Sequence, residues 1–199
     1  MIKNKKVLFI VLDGIDGCGS TTHVKLLKKW FEDQKLKIIT THEPTESNIG
    51  KIIKEYLKSN KGFPELDALL FASDRAEHTK QIESWLKLEF NVISDRYIES
   101  SMAYQGGQGL SNDWIKTINK VVIEPDIYII LDIDPQISID RFIKERKYLE
   151  KFENVEFLKE VRAIFLNRAK QNKYEIVSTE GSIEEVHEKI KKIIKTKLF

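Results

Sequence analysis

The sequence predicts an α/β fold with a parallel five-stranded sheet and helices on both faces. Short apolar runs, rich in branched residues, alternate along the chain with segments whose apolar residues recur every three or four positions. The 199 residues include 41% hydrophobic and 32% charged residues, which suits a single globular domain spanning residues 1–199. No internal repeat, low-complexity tract or clear linker interrupts the alternation.

Five apolar runs are the predicted strands: residues 7–12, 37–41, 91–94, 127–131 and 175–178. Helical spacing is clear after the first strand and in three further sets of apolar residues. These sets are Ile49, Ile52, Ile53, Tyr56 and Leu57, then Leu66, Leu69, Leu70 and Phe71, and finally Ile183, Val186, Ile190, Ile193 and Ile194. Parallel sheets bind ligands beyond the carboxyl ends of their strands, so the polar residues after each strand are candidates for the site.

The first strand is followed by a glycine-rich loop that opens a helix. Its residues are Gly14, Ile15, Asp16, Gly17, Cys18, Gly19, Ser20, Thr21 and Thr22. They match the phosphate-loop (P-loop) pattern G-x-x-x-x-G-K-[ST] at both glycines and at Thr21, whereas Ser20 occupies the lysine position. Glycines let several backbone N–H groups point at one anion, and the helix N-terminus adds its positive end. The loop therefore predicts a di- or triphosphate site; the alternative is a βα turn that binds nothing.

Two charged residues end the third strand, across the sheet edge from the glycine loop. Asp95 suits a water-mediated contact to Mg²⁺, to which Thr21 would give its hydroxyl, and Arg96 suits phosphates. A salt-bridged turn is the alternative. A polar run follows: Ser100, Ser101, Tyr104, Gln105, Gly106 and Gly107. Packing explains this run poorly, so we interpret it as a polar patch with a mobile tail.

Two further stretches contain candidate binding residues. Glu43 and Pro44 follow the second strand, where an ordinary loop is the simpler interpretation. Phe71 and Arg75 lie four residues apart on one helix face, where a ring can stack on a base and a guanidinium can bond its edge. On spacing alone, a core phenylalanine beside a surface arginine is the better interpretation.

A basic segment, residues 141–153, follows the fourth strand and a short helix. Its cations are Arg141, Lys144, Arg146, Lys147 and Lys151. Residues 142–153 are predicted to be a short lid that closes over phosphates and excludes water. A solvated helix with Glu–Lys pairs four residues apart explains the segment equally well.

Charge and cysteine content exclude several classes of protein. The 33 basic and 31 acidic residues give a net charge of +2, which argues against a nucleic-acid or membrane surface. No apolar run approaches the roughly 18 residues of a membrane helix. Lysines precede the first apolar run as in a signal peptide, but the run ends at Asp13 in the loop, so we interpret it as a strand.

The single cysteine, Cys18, fits a reducing cytoplasm. Solvated or packing roles, not metal binding, are expected for all four histidines: His23, His42, His78 and His187.

Taken together, these blocks resemble the thymidylate kinase family, whose members phosphorylate dTMP with ATP. Residues 13–19 resemble the family's E-G-x-D-G-x-G, 41–44 its T-R-E-P, 70–75 its L-F-A-x-D-R, and 95–105 its D-R-Y-x-x-S-x-x-A-Y-Q. Residues 125–126 and 132–135, on either side of the fourth strand, also match. The similarity covers essentially the full chain in the family's order. Many nucleotide enzymes share the loop, but the D-R-Y and F-A-x-D-R blocks are specific.

The resemblance implies a role for each block. ATP would contact the loop residues Gly14 to Thr22 named above, with Arg141 against its adenine. The residues that would bind dTMP are Asp16, Glu43, Pro44, Phe71, Arg75, Arg96, Ser101, Tyr104 and Gln105. Phe71 would stack on thymine, Arg75 would recognise its edge, and Tyr104 would favour deoxyribose. The catalytic residues would be Asp16, Asp95, Arg96, Arg146, Lys147 and Lys151, and Thr21 and Asp95 would hold Mg²⁺. A cytoplasmic homodimer with dTMP and ATP as small-molecule partners is expected.

Several residues depart from the family pattern. His42 replaces the arginine of T-R-E-P, and Lys151 stands where the lid often carries arginine. Gly17 stands where some members carry a loop arginine, so the lid is expected to supply cations. Ser20 is the largest departure, because a charge at ~4 Å with an effective dielectric of ~20 is worth about 4 kcal/mol, or roughly three decades in rate.

The expected reaction is transfer of a phosphoryl group from Mg-ATP to dTMP, which gives dTDP and ADP. One alternative is a kinase of another pyrimidine or deoxypyrimidine monophosphate. The other is a nucleotide-binding homologue with weak or lost catalysis, because Ser20 stands in place of the loop lysine.

Overall fold

The computed structural model describes residues 6–58, 63–146, 152 and 154–198, apart from the side chains of residues 142 and 144–146. It contains the predicted sheet of five parallel strands. These are β1 (Phe9–Asp13), β2 (Ile38–His42), β3 (Asn91–Asp95), β4 (Ile127–Asp132) and β5 (Glu175–Ser178). Their order across the sheet is β2-β3-β1-β4-β5, so the chain reverses its direction of winding at β1. A ligand site is expected at this switch point, where the glycine loop leaves β1.

Helices connect the strands. In the described part of the chain they are α1 (Ser20–Asp33), α2 (Asn48–Lys58), α3 (Pro64–Lys87), α4 (Ile98–Gly107), α5 (Asn112–Ile118), α6 (Pro135–Arg146), α7 (Val155–Asn172) and α8 (Ile183–Leu198). α1 packs against α8, whereas α4 packs against α3, α5 and α7. None of these helices is both long enough and apolar enough to cross a membrane.

The central strands are covered on both faces. All five residues of β1 and all five of β3 are buried, although successive side chains point to opposite faces of the sheet. Parallel sheets show this pattern when helices cover them on both sides. The predicted α/β fold with helices on both faces is therefore confirmed.

The long helix α3 buries a polar face, which is the reverse of the expected arrangement. Asp74, Arg75 and His78 are at most 1% exposed, while Leu69 is 46% exposed. On α2, Ile52 is likewise 54% exposed. Apolar spacing thus indicated where these helices lie but not which face they bury, because α3 turns its polar face toward the carboxyl edge of the sheet.

The polar run after β3 is a buried helix, and the expectation of a mobile tail is wrong. Three of its polar residues are at most 5% exposed: Ser101, Tyr104 and Gln105. Gly106 and Gly107 end this helix against α7, where a methyl group added at Gly107 would lie 3.3 Å from Phe157 and 3.5 Å from Val161. The glycines that suggest mobility in the sequence therefore permit close packing of α4 on α7.

Gly14 is predicted to tolerate no larger residue, because a Cβ atom there would lie 2.4 Å from the carbonyl oxygen of Leu131 in β4. We expect Gly14→Ala to lower the free energy of unfolding, measured in urea, by about 1–3 kcal/mol, as overpacked sites do. Gly106→Ala is the matched control. A Cβ atom added at Gly106 would lie 3.7 Å from its nearest neighbour, Asn112 Oδ1. Alanine in a helix is also more stable than glycine by roughly 0.5–1 kcal/mol. Native-like stability of Gly14→Ala would contradict this packing.

Candidate active site

Two clefts meet at the carboxyl edge of the sheet. The larger, the loop cleft, has a volume of about 930 Å³ and follows the glycine loop and the start of α1. The smaller, the helix cleft, has a volume of about 330 Å³ and is lined from α2, α3 and α4. Asp16, Glu43 and Arg96 line both clefts. Ligands in the two clefts would therefore approach each other at these three residues.

The backbone of the glycine loop is shaped for an anion. Gly17 and Gly19 have φ angles of 73° and 91°, which other residues rarely adopt. Gly19 caps α1, and within the described residues no side chain caps the first N–H groups of this helix. These N–H groups and the helix dipole are thus available to a ligand in the loop cleft. Burial raises the pKa of the Cys18 thiol to about 12, so this side chain packs under the loop as an unreactive thiol.

Thr21 and Asp95 have the chemistry that Mg²⁺ requires. Thr21 Oγ1 donates to Asp95 Oδ2 over 2.6 Å. Asp95 Oδ1 is buried and has no hydrogen-bond partner among the described residues. Mg²⁺ keeps several waters and takes few protein oxygens, so a hydroxyl and an unused carboxylate oxygen fit it when phosphates complete the shell. The described ranges contain no cluster of three His, Cys, Asp or Glu side chains that could hold a metal ion without such help.

Arg96 lies where the two clefts meet. Its guanidinium donates to Asp16 Oδ1 over 2.5 Å and to the Ser100 hydroxyl over 3.1 Å. Burial lowers the pKa of Arg96, but Asp16 and the neighbouring carboxylates outweigh burial and raise it, so the side chain stays cationic. Asp16 also accepts a hydrogen bond from the Tyr104 hydroxyl over 2.8 Å. An anionic ligand at this junction would compete with Asp16 for Arg96.

Asp13 fixes the glycine loop to the start of α4 from below. Its buried carboxylate accepts hydrogen bonds of 2.6–3.2 Å from the N–H groups of Gly14, Tyr97 and Ser100 and from the hydroxyls of Ser100 and Tyr128. Burial raises the pKa of Asp13 to about 6, although Arg96 and the hydrogen bonds act in the opposite direction. The last residue of β1 therefore sets the distance between the loop and the segment that contains Arg96.

The helix cleft has an aromatic side and a polar side. It brings together the expected residues Pro44, Phe71, Ser101, Tyr104 and Gln105. Gln105 is 2% exposed, and its Oε1 has no partner in the described part of the chain. Phe152, from the predicted lid, also lines this cleft, with its ring 5.6 Å from that of Tyr104. Rings and an unused amide oxygen suit a flat heterocycle that carries an N–H group.

Arg75 lines the helix cleft from within the protein, so the interpretation as a surface arginine is wrong. It is 1% exposed. Its N–H groups bond to Glu43, Ser101, Asn119 and the carbonyl of Tyr97. The other oxygen of Glu43 lies 2.9 Å from His78 Nδ1. Four hydrogen bonds and the ion pair with Glu43 therefore engage Nε, Nη1 and Nη2, so any bond from Arg75 to a base edge would have to be shared with these partners.

The other expected site residues lie in different places. Asp16 to Thr22 line the loop cleft, whereas Gly14 and Ile15 support the loop from beneath, and Ile15 is 2% exposed. Arg141 lines the loop cleft from α6 and donates to the carbonyl of Gly17 over 2.8 Å. The side chain of Arg146 and the whole of Lys147 and Lys151 lie outside the described residues.

Sequence reasoning missed one wall of the loop cleft. This wall contains His23 of α1 and residues at and after the end of β5, namely Thr179, Gly181, Ile183 and Val186. The rule that ligands bind beyond strand ends would have found Thr179 and Gly181 if it had been applied to the last strand. No pattern in the sequence indicates Asn119, whose amide oxygen accepts from Arg75 over 2.7 Å.

Comparison with known proteins identifies the family. The family model described as thymidylate kinase matches residues 12–190. The chain belongs to the thymidylate kinase family. A probable thymidylate kinase of Pyrobaculum aerophilum is 43% identical over 189 residues, which are 94% of this chain and 96% of the relative. A probable thymidylate kinase of Pyrococcus abyssi is 42% identical over 96% of this chain and 97% of the relative. One of Methanocaldococcus jannaschii is also 42% identical, over 92% of this chain and 93% of the relative.

Membership of the thymidylate kinase family confirms the resemblance read from the sequence motifs. It also confirms the enzyme class, a nucleoside monophosphate kinase, which must hold two nucleotides side by side. The two clefts that meet at Asp16 and Arg96 provide such an arrangement.

Removing the charge of Glu43 is predicted to destabilise the protein, because the buried Arg75 would lose its carboxylate partner, which lies 2.7 Å away. We expect Glu43→Gln to lower the free energy of unfolding by about 3–5 kcal/mol, the usual effect of breaking a buried ion pair. Chemical denaturation followed by circular dichroism measures this. Glu46→Gln is the control, since Glu46 pairs with Lys54 at the surface and its loss should leave the unfolding midpoint unchanged. Equal midpoints for both variants would contradict the importance of the buried pair.

Proposed function

We propose that the protein transfers the γ-phosphoryl group of ATP to dTMP and forms dTDP and ADP. The observation that carries this proposal is the junction of the two clefts, where Arg96 lies between the glycine loop and the helix cleft. The names of the relatives, probable thymidylate kinases, support dTMP as the acceptor. In this proposal residues 1–199 form one kinase domain, with residues 142–153 as its lid.

The helix cleft would hold dTMP. Phe71 would stack on thymine, and Gln105 Oε1 would accept the N3–H group of the base. Tyr104, held by Asp16, would leave little room for a 2′-hydroxyl group, which favours deoxyribose. Arg75 and Ser101 would complete the pocket, with Glu43 and Pro44 beneath the sugar and phosphate. Arg96 would exchange Asp16 for the acceptor phosphate.

The loop cleft would hold ATP with its phosphates on the N–H groups of residues 16–22. Thr21 would bind Mg²⁺ directly and Asp95 would bind it through water, consistent with their mutual hydrogen bond and the unused Asp95 Oδ1. When bound, Mg²⁺ neutralises charge on the β- and γ-phosphates. Arg141 would lie against the adenine.

The chemical step would be in-line attack of a dTMP phosphate oxygen on the γ-phosphorus. The acceptor is already anionic, so the residues need to position and neutralise charge more than to move a proton. Arg96 would hold the acceptor oxygen near the γ-phosphate. Arg146, Lys147 and Lys151 would add positive charge as the lid closes. Loss of a lysine at position 20 does not forbid this chemistry, because kinase rate accelerations far exceed the roughly three decades that one such charge contributes.

A cytoplasmic homodimer is the assembly we propose. Exposed large apolar side chains on α2, before α3 and on α3 support a partner surface, namely Ile52, Phe63 and Leu69. A second copy of the chain is the proposed occupant. Sedimentation of the purified protein tests it, and a monomer at all concentrations would reject it.

The decisive experiment measures ADP release with Mg-ATP and each of dTMP, dUMP, UMP, CMP and AMP, in the native chain and in Ser20→Lys. We expect dTMP to be phosphorylated fastest by the native chain, because Phe71, Tyr104 and Gln105 fit a deoxypyrimidine. Preference for a different acceptor would replace dTMP in the proposal. Nucleotide binding without turnover would reject the proposed activity, and rescue by Ser20→Lys would then locate the cause in the loop.

Arg96→Ala is predicted to lower kcat/KM for dTMP by at least about a hundredfold, the usual effect of removing a group that stabilises charge in the transition state. Steady-state kinetics with varied dTMP measure it. Lys191→Ala is the control, because Lys191 pairs with Glu188 on α8, away from both clefts. Comparable losses in the two variants would argue against the role of Arg96.

A further inference from the structure

His23 lies on the β5 side of the loop cleft, because its ring stacks on His187 of α8, the helix that follows β5. Gly181, Ile183 and Val186, which also follow β5, line the same cleft. The helix cleft opens beside Glu43 and Arg96, which follow β2 and β3 on the other half of the sheet. A nucleoside triphosphate whose phosphates lie on the loop and whose terminal phosphate faces the helix cleft must extend its base toward the β5 side. The base would therefore lie on the side of the cleft that contains His23.

The His23 ring is held rigidly and is neutral. It is 3% exposed and stacks on His187 of α8, with ring centroids 6.2 Å apart and planes inclined by 10°. Burial and the neighbouring His187 lower the pKa of His23 to about 4. The Cδ2–Nε2 edge of the ring faces the loop, since a Cβ added at Gly19 would lie 3.8 Å from Cδ2 and 4.0 Å from Nε2.

The burial of Nδ1 decides which ring nitrogen carries the proton. Nδ1 of His23 is buried and has no hydrogen-bond partner among the described residues. A neutral imidazole has one N–H donor and one acceptor, and buried N–H groups without partners are rarer than buried acceptors without partners. The proton therefore belongs on Nε2, on the ring edge that faces the loop. His23 is thus a neutral donor on the wall of the cleft.

We propose that His23 is a specificity-determining residue for the donor nucleotide, and that its Nε2–H group donates to a ring nitrogen of a purine base. Ile183 and Val186 would cover the purine ring from the same wall. This inference rests on the proposed function only in taking the loop cleft as the site of a nucleoside triphosphate.

Calorimetric titration of the full chain with a non-hydrolysable Mg-ATP analogue, and separately with inorganic tripolyphosphate, tests the proposal. His23→Phe keeps a ring on His187 and removes the N–H group, whereas His23→Gln supplies an amide N–H donor. His187→Phe is the matched control, because His187 does not line the loop cleft. We expect His23→Phe to weaken the analogue about three- to tenfold, as loss of one neutral hydrogen bond does, and His23→Gln to stay within about twofold of the native chain. Tripolyphosphate should bind all variants equally, and His187→Phe should bind the analogue like the native chain.

Unchanged binding of the analogue to His23→Phe would overturn the proposal. Equal weakening of the analogue and tripolyphosphate would also overturn it, because the effect would then lie in the loop and not in contact with a base. Turnover of dTMP by the native chain reports on the proposed function separately. A chain that binds the analogue through His23 but does not phosphorylate dTMP would reject that function and keep this inference.

Discussion

The five hydrogen bonds of the buried Asp13 carboxylate are the constraint on which the arrangement of the site depends. Asp13 ends the central strand, and its oxygens hold both the first residue of the glycine loop and the start of α4. A longer carboxyl or amide side chain in place of Asp13 would displace these oxygens. The buried N–H groups would then be left without hydrogen-bond partners, at a cost of about 1–3 kcal/mol each. Because Arg96 lies in the turn between β3 and α4, this one carboxylate fixes the glycine loop and Arg96 relative to each other.

A second constraint is that the wall of the helix cleft is polar and buried. Arg75 carries a full charge at 1% exposure, and Glu43, 4% exposed, is its counter-ion. Such a pair fixes the positions of its two side chains more than it stabilises the fold. The attraction between two buried charges does little more than offset the free energy needed to remove them from water. The pair restrains the guanidinium, because four hydrogen bonds and the ion pair hold Arg75 in place before the cleft fills. The cleft therefore presents Phe71 and Gln105 from a wall whose shape is already set.

The sequence allowed most of the fold to be predicted, because strands buried on both faces are continuous apolar runs and the glycine loop marks the switch point. The glycine loop, Glu43 and Arg96 could also be located, since they follow strand ends, whereas Phe71 and Arg75, inside α3, were indicated only by the resemblance of their motif. The buried face of α3 could not be predicted, because apolar spacing assumes an apolar core and this face meets a polar cleft. Asn119 could not be found either: it bonds Arg75 across 44 positions of sequence, and nothing local distinguishes it from a surface asparagine. The sequence does not distinguish His23 from other residues of α1, because only the structure shows that its Nδ1 is buried without a hydrogen-bond partner among the described residues.

The glycine loop, residues 14–22, contains no cationic side chain. The cations that line the loop cleft, Lys25, Arg96 and Arg141, lie outside this loop. Phosphates on the loop itself would therefore meet mainly backbone N–H groups and the N-terminus of α1. These fixed dipoles would stabilise a triphosphate and its transition state, but they do not replace the full positive charge of a lysine. Arg96 and Arg141 line the same cleft, and Arg96 donates a hydrogen bond to Asp16. In the proposed reaction, binding of the acceptor phosphate would free Arg96 from Asp16, and this cation would then compensate for the absent lysine in the transition state.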